Sequence, residues 1–213
     1  MPPKSTYKKI STKPSKKYAT HSITDFFPQT VKSNQKTITV YPNGSTVDNG
    51  KITAKGGYGV FFGDNDHRNI GEPFFIYPIT NNRCELYGCI QALQILGKTE
   101  DVSKKSTVII HTDSEYIVNS MTKWLPAWKV RGWRKADKKP VENVDLIFWL
   151  DKLIHLYAGF FDIKFQHVNA AHDYSEPNDK QSTVWKNWNG NNQADILAKR
   201  GTTISIKLEQ ISS

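Results

Sequence analysis

Cysteine is scarce in this 213-residue chain: only Cys84 and Cys89. They fall five apart on what reads as one helix, so they face different ways and suggest neither a disulfide framework nor a metal cluster. Long apolar runs are missing too. Such runs as occur, VII at 108–110 or LIFWL at 146–150, fall far short of the roughly 20 residues that a membrane span needs. No apolar signal segment follows Met1, so an intracellular protein in a reducing compartment is expected, nuclear or cytoplasmic, with no membrane association. Acid is nearly absent from residues 1–35, where seven lysines face Asp25 alone and carry +6 of the chain's +9 formal charge. Little there can be buried, and a composition of Lys, Ser, Thr and Pro predicts a disordered, solvated tail.

What is present suits one globular domain, with 38% hydrophobic and 12% aromatic residues. The excess of positive charge points to a polyanionic partner, nucleic acid first among them. The expected organisation is a basic tail over 1–35, a folded domain over 36–206 and a short C-terminal tail over 207–213, in a monomer.

From Thr37, TITVYP reads as a strand, GGYGVFFGD as a second and EPFFIYPI as a third, an antiparallel meander. The period then changes: Leu86, Ile90, Leu93 and Gly97 recur at helical spacing after TNN, which can cap the helix at Asn82. STVIIHT has the character of a buried strand, and a helix follows it from near Ser114. VDLIFWLDKLIHLY reads as a helix, FFDIKFQHV as a strand, and NNQADILAKRG as a short helix closed by Gly201. Three strands followed by alternating helix and strand imply an α/β fold, a mixed sheet covered by helices on both faces.

Carboxylates gather where elements begin or end, the usual place for ligands in α/β proteins. Asp113 follows STVIIHT directly, while Glu85 and Asp195 fall in the first turns of their helices. Singly, each also reads as an acid placed favourably at a helix N-terminus.

Several words around these acids resemble the type 1 ribonuclease H family: VYPNGS at 40–45, GGYGV at 56–60, TNNRCEL at 80–86, HTDSEY at 111–116, WKVRGWRKADKKPVENVDL at 128–146 and NNQADILAKRG at 191–201. The resemblance implies the ribonuclease H-like fold, a five-stranded mixed sheet flanked by helices. It also implies hydrolysis of the RNA strand of RNA–DNA hybrids by carboxylates holding two divalent ions, Mg2+ with Mn2+ as a substitute. Such hard cations, roughly 4 Å apart, take oxygen ligands, activate a water and stabilise the leaving oxygen. Matched motif to motif, the metal ligands are Glu85, Asp113 and Asp195, and His172 is the loop histidine of catalysis; His167, inside its strand, reads as structural.

The fourth carboxylate departs from the pattern. Where the family has the first strand's aspartate, this chain has Asn43, which offers one carbonyl oxygen and no charge, so metal affinity and water activation should both fall. Asp48, five residues on in a glycine-bearing loop, reads as a turn residue rather than a replacement.

Between Lys123 and Lys139, cations alternate with Trp124, Trp128 and Trp133, either a solvated helix with core tryptophans or a nucleic-acid grip. The resemblance favours the grip: Lys129, Arg131, Arg134, Lys135, Lys138 and Lys139, with Trp124 and Trp133, match the family's basic protrusion. It likewise assigns Asn49, Asn81 and Asn82 to contacts with the RNA 2′-OH, Thr80 to a DNA phosphate, and Glu115 to the position of a glutamine. In the tail, THSITDFFPQ at 20–29 resembles a sliding-clamp-binding peptide, since one helical turn would present Ile23, Phe26 and Phe27 together. Two readings follow: an endonuclease of replication, impaired to some degree by Asn43, or a hybrid-binding or clamp-associated protein without catalysis.

Overall fold

The computed structural model describes residues 35–212. The expected clamp peptide with Ile23, Phe26 and Phe27 lies outside the described residues. Alternating apolar residues build the first strand, β1 (Thr37–Val47): Ile38 and Val40 face one core, Tyr41 the other. β1 pairs antiparallel with β2 (Lys55–Phe61), and β2 pairs antiparallel with β3 (Ile70–Phe74). On its other side β1 pairs in parallel with β4 (Ser106–Thr112), which pairs in parallel with β5 (Phe161–His167). The result is a five-stranded mixed sheet in the order β3-β2-β1-β4-β5, as expected.

One face carries α1 (Asn81–Thr99) and α4 (Val144–Tyr157). Leu86, Ile90, Leu93, Ile147 and Leu150 are fully buried there against Val40, Val60 and Ile110, each worth about 1.5–3 kcal/mol of apolar burial. The other face carries α5 (Thr183–Ser212), packed over β1, β2 and β3 around Tyr41, Phe61 and Ala194. Between β4 and α4 the chain runs through α2 (Glu115–Asn119), a π-helical turn (Ser120–Trp124) just before Pro126, and α3 (Leu125–Val130). Among the described residues, no helix is long and apolar enough to cross a membrane.

Three expectations are corrected. The cap of α1 is Thr80, whose side chain accepts from the Arg83 N–H, so the helix starts at Asn81 and Glu85 lies beyond its first turn. The last helix is not short: it begins at Thr183 and runs on to Ser212, so 207–212 extend the domain's own helix rather than forming a tail, and Asp195 sits more than three turns inside. Gly201 does not close it. A Cβ there would lie 2.2 Å from the Glu72 carbonyl oxygen, and one on Gly57 of β2 would lie 2.1 Å from the Thr202 nitrogen, so glycine serves backbone-to-backbone packing of α5 on the sheet.

Candidate active site

The parallel pairing of β1 with β4 runs from Thr37 opposite Thr107 to Val40 opposite Ile110 and then stops, although β1 continues along β2. Pro42, without an N–H, falls just past that point, where β1 has lost its neighbour on the β4 side. The crevice opens where the two strands part, the place that parallel strand order marks for ligands.

Five segments deliver side chains to this cleft of about 510 Å3: Asn43 from β1, Glu85 from α1, Asp113 just after β4, His172 from a 3-10 turn (Ala171–Asp173), and Asp195 from α5. The sequence placed all five together as candidate catalytic or ligand residues, and the fold brings them together. Gly44 sets how near α1 comes: a Cβ there would lie 2.5 Å from the Glu85 nitrogen, so the helix rests directly on β1 beside Asn43.

Each carboxylate is engaged differently. Glu85 is buried; Oε1 accepts from Asn81 Nδ2 at 2.6 Å, while Oε2 is buried without a hydrogen-bond partner. Burial pushes its carboxyl up to about 7; the Asp113 charge adds to the rise and the Ser114 hydroxyl opposes it. Asp113 Oδ2 accepts from Asn191 Nδ2 at 3.0 Å and from Asn43 Nδ2 at 3.5 Å. Asp195 Oδ2 pairs with Lys199 Nζ at 2.6 Å, one turn along α5, and Lys199 also lines the cleft. Asn43, only 5% exposed, accepts the Gly44 N–H on Oδ1 at 2.7 Å and so turns its nitrogen, not its oxygen, toward Asp113. His172 is exposed, its Nε2 3.4 Å from Asp173. His167, by contrast, reaches the Asp113 carbonyl at 3.3 Å.

These donors suit a hard divalent cation in kind, since they are oxygens and one buried carboxylate oxygen is orphaned. Among the described residues, however, no group of three or more His, Cys, Asp or Glu side chains is drawn close enough to hold a metal. The Asn43 amide faces Asp113 and the Lys199 ammonium faces Asp195 within this cleft.

A second cleft of about 590 Å3 gathers Asn49, Thr80, Asn81 and Asn82, four of the residues assigned to the hybrid. Asn49 Oδ1 accepts the Asn81 N–H at 3.0 Å, which fixes the loop against the start of α1. Glu115 is exposed at the start of α2. In the basic segment, Trp128 is buried and Trp133 packs edge-on against Phe148, whereas Trp124 is 40% exposed. Lys129 is committed inward, with Nζ 2.9 Å and 3.1 Å from the two oxygens of buried Asp151. Lys135 pairs with Glu142, Lys139 with Asp137, and Arg134 donates to the Lys138 carbonyl. Arg131 and Lys138 are exposed and form no ion pair among the described residues.

Sequence reasoning missed Asn191 and Lys199. The signal was present: within the helix expected over NNQADILAKRG, Asn191, Asp195 and Lys199 recur every four residues and so share one stripe.

A mixed sheet in this order, with carboxylates meeting where its first and fourth strands part, defines a ribonuclease H-like domain. The chain belongs to the RNase H family, whose model matches residues 34–203. It is 42% identical over 168 residues to a Ribonuclease H of Maricaulis maris, covering 78% of this chain and 93% of that protein. Identity to one from Nitrosomonas eutropha is 39% over 176 residues, covering 80% and 93%. Against the Schizosaccharomyces pombe Ribonuclease H it is 35% over 165 residues, 77% of this chain but 52% of the relative, so the chain spans about half that protein's length. The fold is shared with the solution structure of the PFV RNase H domain, at a TM-score of 0.57 and 21% identity, covering 80% of this chain and 96% of that one. LC11-RNase H1, solved in complex with an RNA/DNA hybrid, matches at a TM-score of 0.51 and 20% identity, covering 79% and 99%.

Proposed function

We propose that this chain is an endonuclease that hydrolyses the RNA strand of RNA–DNA hybrids with divalent metal ions, Mg2+ in the first place and Mn2+ as a substitute, and that Asn43 lowers its turnover. The observation that carries the reading is the meeting of Glu85, Asp113, Asp195, Asn43 and His172, from five separate segments, in one cleft. Glu85, Asp113 and Asp195 would hold the metal, with Asn43 in the place of a fourth, charged ligand. When bound, a pair of such ions activates water for attack at phosphorus and stabilises the leaving oxygen.

The chain's own groups do the rest. His172, exposed at the cleft, is free to carry a proton to or from the departing product. Asn49, Asn81 and Asn82 offer both donors and acceptors to a 2′-OH, and Thr80 offers a hydroxyl to the DNA phosphate. Exposed Arg131 and Lys138, with the paired cations Lys135, Lys139 and Arg134, attract the backbone without reading base sequence, and Trp124 offers a face for stacking. Recruitment to a sliding clamp in replication through residues 20–29 belongs to this reading as well, and titration of the full chain with a clamp checks it.

The test is cleavage of a labelled RNA–DNA hybrid with Mg2+, Mn2+ and chelator, beside double-stranded DNA and RNA. Metal-dependent cutting of the RNA strand alone is expected; a chain that neither cuts nor binds the hybrid overturns the assignment. The second reading, a hybrid-binding protein without catalysis, is favoured by one observation, the Asn43 nitrogen facing Asp113. Tight binding without cutting in any metal would establish it.

A further inference from the structure

Asn191 is buried behind cleft-lining Asp113, and its side-chain amide is used at both ends. Nδ2 donates to Asp113 Oδ2 at 3.0 Å, and Oδ1 accepts the Ala171 N–H at 2.8 Å. One planar amide thus spans β4's carboxylate and the turn that carries His172. The turn is held from α5 a second time, because Trp188 Nε1 donates to the Ala171 carbonyl at 3.0 Å and reaches the Tyr174 carbonyl at 3.4 Å. Among the described residues, the His172 side chain pairs only with Asp173, its exposed chain neighbour, so its place over the cleft is set by its backbone.

We propose that Asn191 is a positioning residue that couples the Asp113 carboxylate to the His172 turn, so that ligand and proton carrier are held at one spacing. The inference rests on the reading of the cleft given above. An amide suits the task because it donates to a carboxylate and accepts from a backbone N–H at once, and the helix prevents it from following either partner. Asn43 donates to the same Asp113 oxygen but reaches only its own neighbour, Gly44, with its carbonyl, so it cannot substitute.

The experiment uses the full chain carrying Asn43→Asp, with Asn191→Ala and Asn191→Asp added separately. Three quantities are read: amide exchange at Ala171, the Mn2+ dissociation constant from water-proton relaxation, and kcat and KM on the hybrid. Asn191→Ala should speed Ala171 exchange at least about tenfold, weaken Mn2+ binding roughly 10–100-fold and lower kcat, with KM within about twofold. Asn191→Asp keeps the acceptor and faces Asp113 with like charge, so Ala171 protection should persist while kcat falls by about tenfold or more. The proposal is overturned if Asn191→Ala leaves exchange and Mn2+ affinity unchanged, or if Asn191→Asp keeps full kcat. If Asn191→Ala fails to fold, Asn191→Asp decides alone. Should Mn2+ affinity and exchange respond as expected while no variant cuts hybrid, the positioning role stands and the hydrolytic reading falls.

Discussion

Asn43 Nδ2 lies 3.5 Å from Asp113 Oδ2, an amide and a carboxylate facing each other across the opening between β1 and β4. With a carboxylate at 43, the same spacing would set two negative charges side by side, tolerable only with a cation between them. The cleft of this chain therefore rests without metal more comfortably than a four-acid cleft would.

Asn43→Asp is expected to raise the hybrid-cleavage rate by a factor of about 100 or more in Mg2+. Without metal it should lower the melting temperature, and Mg2+ should restore it, since an ion that binds only the folded form stabilises it by mass action. Steady-state cleavage and thermal melts with and without Mg2+ check both.

Glu85 supplies a pH dependence. Its folded carboxyl, raised to about 7 by burial, holds its proton above the ordinary value of 4.5. The folded state thus binds more protons than the unfolded one between those values, and stability falls as pH rises through that window. Glu85→Gln should stabilise the metal-free chain by roughly 1–3 kcal/mol at pH 8, do little at pH 4, and abolish cleavage. Urea unfolding in chelator at the two pH values measures the difference.

Lys129 and Arg131 should behave oppositely although two residues apart. Asp151 is 4% exposed and takes its charge balance from Lys129 Nζ, with His155 Nδ1 at 3.2 Å. Lys129→Ala should cost about 1–3 kcal/mol of stability by leaving the buried carboxylate with His155 alone. Arg131→Ala should leave melting unchanged and reduce the salt dependence of hybrid binding by about one counterion. Melting curves beside hybrid titrations at several salt concentrations separate the two.

Gly201→Ala sets helix propensity against packing. Alanine favours a helix interior by about 1 kcal/mol, but its Cβ would meet the Glu72 carbonyl oxygen at 2.2 Å. A net loss of roughly 1–3 kcal/mol is expected; a higher melting temperature for Gly201→Ala would refute the packing role of this glycine.

The strand STVIIHT and the helix VDLIFWLDKLIHLY were legible to the residue, because their apolar periods are unbroken. The last helix was not: Gly190 and the asparagines around it break the pattern, and Gly201 reads as a stop. Both glycines are instead places where α5 meets Tyr41 or the backbone of β3, a relation between segments that local propensity does not carry.

By itself the sequence determined the element order, the mixed sheet and the kinds of group at the site, since period, turn residues and motif words are local properties. Only the tertiary structure decided how those groups are engaged. Lys129 turns inward because Asp151 is buried beneath it, Asn43 turns its nitrogen to Asp113 because the Gly44 N–H takes its oxygen, and Asn191 acquires two partners from segments 20 and 78 residues away. Hydrogen bonds and charges are satisfied by whatever neighbour the packing supplies, and that neighbour is set by the fold as a whole.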